Sequence, residues 1–167
     1  MRQPHKCRLP DLALEVMIRK GIDHFLVQPF FQKLHMIKRT AVNPWPWSVR
    51  YSFNQAELIE NQSRVLFCSG QASVDQDGKP KFSGDMRGQV QLAFENLDSV
   101  LKAGNMNFSN VVKLVLYTTD IDALVSNFGV VVNRMKAANI APAQTMIQVG
   151  RLFLPELLFE VEAIAVV

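Results

Sequence analysis

Residues 141–167 read APAQTMIQVGRLFLPELLFEVEAIAVV, and the two strands predicted within this stretch decide the fold. The first strand, Gln144–Val149, places Gln144 and Met146 on one face, because side chains alternate along a strand. The second, Leu158–Val166, alternates apolar residues with charged ones such as Glu160. This stretch therefore predicts two strands of a sheet, joined by a short loop.

An amphipathic helix is predicted upstream, at Asp85–Ala103. Asp85 suits the N-terminal cap of this helix and Gly104 its C-cap. Gln89 is assigned to a polar face, away from the core. The apolar residues recur at spacings of three and four, which is typical of one helical face, and they are Met86, Val90, Ala93, Leu97, Val100 and Leu101.

A second helix is predicted to run without interruption from a cap at Asp120 to Ala138. Its apolar stripe comprises Ile121, Leu124, Val125, Phe128, Val132 and Met135. Three further strands are predicted near Tyr51–Ile59, at Arg64–Cys68, where Gly70 is expected to end the strand, and at Val111–Thr119. Asp77-Gly78 predicts a turn in the loop between the second strand and the first helix.

The order of these elements, β-β-α-β-α-β-β, predicts an α+β layered domain. Two helices can cover only one face of the sheet. We assign residues 36–167 to this domain. Residues 1–35 are interpreted as an N-terminal extension, either poorly ordered or an over-called start, and an interaction or targeting arm stays open as an alternative.

Composition excludes several classes of function. The chain has 167 residues, of which 49% are hydrophobic and 20% charged, as expected for one globular domain. His5, His24 and His35 all precede Met36, so residues 36–167 cannot supply a histidine general base or a histidine-containing zinc site. The same residues carry twelve basic and twelve acidic side chains, which argues against a nucleic-acid surface.

The remaining expectations about partners and location are mostly negative. No apolar run approaches the roughly 20 residues of a membrane-spanning helix. Cys68, on a predicted strand, is interpreted as a buried and reduced thiol, as is usual in the cytosol. We expect a cytoplasmic protein that needs no cofactor or metal.

Three motifs, at 68–71 (CSGQ), 142–145 (PAQT) and 159–166 (FEVEAIAV), resemble the RidA (YjgF) family of small trimeric proteins. The resemblance covers roughly residues 36–167 and implies a chorismate-mutase-like fold. It also implies a homotrimer with pockets between subunits, which in the best-known members hydrolyse reactive enamines and imines. The positions that match the family's pocket are Phe53, Ser69, Gly70, Asn127, Gln144, Met146 and Glu160.

Gln144 is the departure that matters. The imine deaminases of the family carry an arginine here, which grips the carboxylate of the substrate. Arginine makes two parallel charge-assisted hydrogen bonds to a carboxylate, whereas glutamine has no charge and an acceptor oxygen that repels the anion. Phe53 and Met146 also replace the tyrosine and cysteine common in the deaminases. The resemblance therefore implies a subgroup with a more apolar, less anion-selective pocket.

Glu160 is the residue to which the resemblance gives the catalytic role of positioning or activating water. A carboxylate can do this if partial burial raises its pKa. Alternatives stay open: Glu160 is an exposed edge charge, Asn127 an ordinary helical surface residue, and Gln144 a polar residue of a strand face.

Three functions follow from the resemblance and stay open on the sequence. The first is an enzyme acting on a small imine, enamine or related carbonyl compound. The second is a non-catalytic ligand sensor or partner of a pathway enzyme. The third is a true 2-iminobutanoate/2-iminopropanoate deaminase that works without the arginine.

Overall fold

A four-stranded sheet forms the centre of the fold in the computed structural model, which describes residues 37–167 and, upstream, only Val16, Arg19 and Lys20. The predicted extension, residues 1–35, lies otherwise outside the described residues, so this domain division stays a prediction. The elements are β1 Lys38–Val42, β2 Ala56–Glu60, β3 Val65–Ala72, α1 Met86–Ala103, β4 Val111–Thr118, α2 Ile121–Asn127, α3 Gly129–Ala137, β5 Ala143–Gln148 and β6 Phe159–Val166.

The central sheet has the strand order β3-β6-β4-β5. β6 runs antiparallel to both β3 and β4, while β4 and β5 are parallel. The helices pack on one face of this sheet, where α1 contributes Val90, Ala93, Phe94, Leu97 and Leu101 to the fully buried core. The predicted α+β class is therefore confirmed.

The other face of the sheet carries no helix among the described residues. Phe67 on β3 is 75% exposed there, and Val65 and Ile147 are also exposed. We call this surface, formed by the outward side chains of β3, β6, β4 and β5, the open face. Large apolar side chains grouped on one surface indicate contact with another molecule.

Gln89 on α1 was expected to lie on a polar face, and that prediction is wrong. Its side chain is fully buried. Nε2 donates to the backbone carbonyls of Phe82 (3.1 Å) and Glu156 (2.8 Å), and Oε1 accepts from the N–H of Leu158 (2.7 Å). Helical periodicity could not reveal this role, because the partners are backbone groups of two loops distant in sequence.

The second helix is divided in two at Phe128, whereas one continuous helix was predicted. The N–H of Phe128 bonds to the carbonyl of Val125, three residues back, at 3.2 Å, so the helical ladder tightens there. Gly129 follows, and glycine is a weak helix former. Asp120 caps α2 as predicted, because its carboxylate accepts from the N–H of Ala123 at 2.9 Å.

The region before β3 also differs from the prediction. Pro46–Tyr51 forms a 3-10 helix, and the strand predicted near Tyr51–Ile59 begins only at Ala56. A proline in the first turn has the fixed φ that a helix needs. Ser52, with φ 62°, ends the helix in the left-handed conformation. β1, which was not predicted, pairs with β2 in a separate antiparallel sheet.

Arg39 on β1 anchors this two-stranded sheet to the rest of the fold. Its guanidinium donates to the carbonyls of Ser109 (2.7 Å) and Val111 (2.9 Å), at the start of β4. It also forms a salt bridge of 2.8 Å with Glu57, whose side chain is only 6% exposed. A half-buried arginine with this many acceptors holds the β1–β2 sheet in one position.

Two smaller expectations can be compared with the structure. Cys68 is a buried free thiol, as interpreted, and burial raises its pKa. Within the described part of the chain, no helix is both long and apolar enough to cross a membrane.

Replacing Gln89 with Leu is expected to destabilise the fold strongly. The substitution removes the Gln89 partner of the Glu156 carbonyl and of the Leu158 N–H, while the carbonyl of Phe82 keeps the N–H of Asp85 at 3.0 Å. Each group left without a partner costs about 1–3 kcal/mol. We expect the free energy of unfolding to fall by about 3 kcal/mol, measured by urea denaturation at fixed protein concentration.

Gln91→Leu is the matched control, because Gln91 is exposed on the same helix. We expect its effect to stay within about 0.5 kcal/mol. Equal effects of the two substitutions would contradict the role assigned to Gln89.

Candidate functional site

The predicted site residues fall into two groups on opposite faces of the central sheet. Gln144 and Met146 pair with Leu114 and Leu116 of β4, which are fully buried, so both point to the helix-covered side. Glu160 pairs with Tyr117 and belongs to the open face. Within one subunit, the two groups are therefore separated by the sheet itself.

The first group lines a cavity of about 410 Å³, which we call the β5 cavity. This volume lies within the range typical of small-molecule sites. Its wall is largely apolar and contains no aspartate, glutamate, lysine, arginine or histidine. The lining residues are Tyr51, Phe53, Val125, Phe128, Gln144 and Met146.

Phe53 reaches the β5 cavity because the segment around it is tied to the start of β5. The N–H of Asn54 donates to the carbonyl of Ala141 at 3.0 Å, and Asn54 forms a parallel bridge with Ala143. The ring of Trp47 packs edge-on against that of Phe53, with centroids 5.6 Å apart. These contacts place an aromatic wall opposite the side chains of β5.

The amide of Gln144 is not used by the protein. Within the described residues, the side-chain hydrogen bonds of β5 are made by Thr145 and Gln148, and Gln144 makes none. Gln148, four residues further along the same face, accepts from the N–H of Ile121 at 3.1 Å. Gln144 thus has donors and an acceptor available to a ligand in the cavity.

Asn127 does not line the β5 cavity. Its amide donates to the carbonyl of Ala123 within the same helix, at 2.9 Å. The next residue, Phe128, lies in the cavity wall, together with Val125 and Tyr51, which sequence reasoning did not assign to the site. The sequence placed Val125 on the apolar stripe of the predicted helix, whereas in the structure this residue is 58% exposed.

The second group is built on a β-bulge. Cys68 pairs with Ala163 and Gln71 pairs with Val161, so Ser69 and Gly70 together face one residue of β6, Glu162. Gly70 was expected to end the strand, and that prediction is wrong, since β3 continues to Ala72. An extra residue redirects side chains locally without ending the pairing, and bulges are common beside functional sites.

Gly70 is required by the position of Glu160. A Cβ on Gly70 would overlap Glu160 Oε1 and would lie 2.7 Å from Cδ. In this rotamer the carboxylate packs against the backbone of the bulge, and a side chain at position 70 would force the carboxylate to rotate away. Around it lies a cleft of about 340 Å³, the Glu160 cleft, lined by Gly70, Gln71, Ala72, Val74, Gly78, Phe153, Leu154, Leu157 and Glu160.

Electrostatics favour the protonated form of Glu160. Burial and the negative charge of Glu162 raise the pKa of its carboxyl above the usual value of 4.5. Burial, with the charges of Glu162 and Glu160, also raises the pKa of Tyr117. Among the described residues no salt bridge compensates either glutamate. A carboxyl with a raised pKa is suited to general acid–base chemistry.

The position of β6 also bears on the alternative interpretation of Glu160. β6 lies between β3 and β4, so Glu160 is not a charge on an edge strand. Tyr117 and Glu162 complete a cluster of three ionisable side chains on the open face. Sequence reasoning did not assign Tyr117, because only the pairing of β4 with β6 brings it beside Glu160.

Comparison with known proteins identifies the relatives of this chain. Residues 48–167 match the family model described as endoribonuclease L-PSP. The RutC family protein YjgH of Escherichia coli is 31% identical over 130 residues, which cover 78% of this chain and 96% of that protein. The 2-iminobutanoate/2-iminopropanoate deaminase of Rattus norvegicus is 32% identical over 118 residues, covering 69% of this chain and 80% of the enzyme.

The fold has solved counterparts as well. The structure of YyfB from Yersinia pestis, described as a protein of unknown function of the conserved Rid family, superimposes with a TM-score of 0.70. Its sequence is 28% identical, and the alignment covers 77% of this chain and 98% of that one.

Glu160→Gln is expected to stabilise the fold more at pH 7 than at pH 4. The folded state raises the pKa of Glu160 above its usual value of 4.5. The raised pKa therefore stabilises the folded wild-type protein at a pH below 4.5, and this stabilisation is lost as pH rises through the folded pKa. Glutamine mimics the protonated carboxyl and avoids this loss. The measurement is the free energy of unfolding of both proteins at each pH.

Glu156→Gln serves as the control, since Glu156 is exposed in the loop before β6. We expect the same small difference from wild type at both pH values. A gain for Glu160→Gln that is equal at both pH values, or larger at pH 4, would show that burial does not raise this pKa.

Proposed function

Since the chain belongs to the RidA/YjgF family, which the endoribonuclease L-PSP model describes, we propose that it is a homotrimer handling a small reactive metabolite in clefts between subunits. The ligand class is an enamine, an imine or a related carbonyl compound. The chain would represent a subgroup without the carboxylate-binding arginine, and so would be a poor 2-imino acid deaminase. The observation that carries the proposal is Glu160, a half-buried carboxyl of raised pKa held against Gly70.

The separation of the two groups of site residues supports a site shared between subunits. The β5 cavity and the Glu160 cleft lie on opposite faces of one sheet, so they cannot contact one small ligand within a subunit. A head-to-tail ring joins one surface of each subunit to a different surface of the next. In such a ring, the β5 cavity of one subunit meets the Glu160 cleft of its neighbour.

The open face supplies a suitable surface for this assembly. Phe67, Val65 and Ile147 expose large apolar side chains on it. Burying apolar surface contributes about 25 cal/mol per Å², which favours association over exposure to water. The exposed ring of Trp47, which packs against Phe53 of the β5 cavity, and the exposed ring of Trp45 also suit a subunit contact.

The chemical step assigned to Glu160 is the hydrolysis of a C=N bond. The carboxylate takes a proton from water as the oxygen attacks the carbon of the imine, and it returns that proton to the nitrogen, which gives a carbinolamine. The carboxylate then moves the hydroxyl proton of this adduct to the nitrogen as the C–N bond breaks, which forms the carbonyl and releases ammonia. A carboxyl whose pKa is raised by burial and by the charge of Glu162 is suited to accept and return the proton.

Gln144 argues against a 2-imino acid as the preferred substrate. Replacing a bidentate arginine with a neutral amide removes an ion pair worth on the order of a thousandfold in affinity. No lining residue of the β5 cavity provides a substitute positive charge. Although the family model is named after an endoribonuclease, residues 36–167 contain no histidine for a histidine-based cleavage of RNA.

Phe67→Glu is expected to convert the trimer into monomers. The substitution places a charge on the apolar open face, where assembly would bury it without a partner. The measurement is mass by light scattering at micromolar concentration. Phe82→Glu is the control, because Phe82 is an exposed aromatic in the loop before α1, outside the sheet.

A wild-type protein that is monomeric under these conditions would contradict the proposal of a site shared between subunits. If the Phe67→Glu variant remains a trimer, the open face is not part of the subunit interface.

Gln144→Arg is expected to raise ammonia release from freshly generated 2-iminopropionate. The gain should appear mainly in kcat/KM, because the new ion pair binds substrate and transition state alike. We expect a partial gain, since Phe53 does not restore the hydroxyl of a tyrosine. Glu160→Gln on this background should abolish turnover and leave carboxylate binding largely unchanged.

Gln148→Arg is the matched control, because Gln148 lies on the same face of β5 outside the cavity lining. Wild-type activity equal to that of Gln144→Arg would contradict the role of Gln144. Binding of a metabolite without any turnover would indicate the sensor instead of the enzyme.

A further inference from the structure

The wall of the β5 cavity contains aromatic and aliphatic groups and one amide. Tyr51, Phe53 and Phe128 contribute rings, and Val125 and Met146 contribute aliphatic surface. A charged group that enters such a cavity loses its hydration, and no lining side chain carries an opposite charge. The guanidinium of Arg50 lies 5.1 Å from the centroid of the Tyr51 ring, so its charge faces that ring. The part of a ligand that occupies this cavity is therefore uncharged and mostly apolar.

Gln144 then defines the polar feature of the ligand. Its amide has N–H donors and a carbonyl acceptor side by side, and within residues 37–167 none of them is paired. A ligand that only donates, or only accepts, satisfies half of this amide and leaves the other half unpaired in an apolar setting. A ligand with a carbonyl next to an N–H satisfies both halves.

We propose that the β5 cavity binds neutral ligands with an apolar body and a carboxamide-type edge, which pairs with the amide of Gln144. Primary amides, lactams and carbamates have such an edge. This proposal rests on the proposed function in one respect: the β5 cavity is also the part of the shared site that binds the ligand. It replaces the anionic group expected beside an arginine with an uncharged group of similar shape.

Three probes of nearly equal size separate the electrostatic alternatives. Phenylacetamide is neutral and carries the amide edge, phenylacetate is its anionic counterpart, and 2-phenylethylammonium is a cation. We expect the full-length protein to bind phenylacetamide at least about tenfold more tightly than either charged probe, measured by calorimetry. Equal or tighter binding of phenylacetate would overturn the proposal, and tighter binding of the cation would assign the rings to cation–π recognition.

Gln144→Met tests the paired amide. Methionine has a similar length and keeps the cavity apolar, so the variant loses hydrogen bonds without creating a void. We expect about tenfold weaker binding of phenylacetamide. In Gln148→Met, whose native amide is occupied by the N–H of Ile121, we expect unchanged binding. An unchanged affinity of Gln144→Met would overturn the proposal even if wild type prefers the amide.

Imine hydrolysis and probe binding, both measured on the wild-type protein, separate this inference from the proposed function. Hydrolysis reports on the carboxyl of Glu160, whereas the preference among the three probes reports on the amide of Gln144 and the wall of the β5 cavity. If phenylacetamide binds but no imine is hydrolysed, the ligand class stands and the enzymatic proposal fails. If imines are hydrolysed and phenylacetate is the preferred probe, the enzymatic proposal stands and the ligand class fails.

Discussion

The alternation of side chains along β6 is the constraint on which the rest of the structure depends. Phe159, Val161, Ala163 and Ala165 are buried against the helices, so Glu160 and Glu162 must point to the open face. Because β6 pairs on both sides, with β3 and β4, it cannot shift in register without moving the core. The place of the candidate catalytic carboxyl is thus determined by the packing of apolar residues beside it.

Sequence patterns predicted the elements in which apolar residues recur at regular spacing. The helix at Met86–Ala103 and the strands β4, β5 and β6 all agree within one residue at each end. What the sequence did not predict depends on partners far along the chain. Gln89 carries the polarity of a surface residue, yet its partners are backbone groups of loops around Phe82 and Leu158. A glycine such as Gly70 often marks the end of a strand, and only the pairing of β3 with β6 shows that this one belongs to a bulge.

The candidate site was predicted as a set of residues and not as an arrangement. Alternation correctly placed Gln144 and Met146 on one face, but no local pattern indicates that Glu160 lies on the other side of the sheet. The pairing of Glu160 with Tyr117 is likewise a property of the tertiary structure. The family resemblance supplied the residues of the candidate site, and their roles stay predictions, whereas the distribution of these residues over two faces follows only from the tertiary structure.

This distribution has a consequence for how such a protein diverges during evolution. β5 is an edge strand whose side chains line one cavity, while Glu160 and Gly70 fit against each other elsewhere and constrain each other sterically. Substitutions at Gln144 and Met146 alter the wall of the β5 cavity without touching the carboxyl or the bulge. Under the proposed function, selection could therefore explore new ligands at one face while the carboxyl on the other is kept.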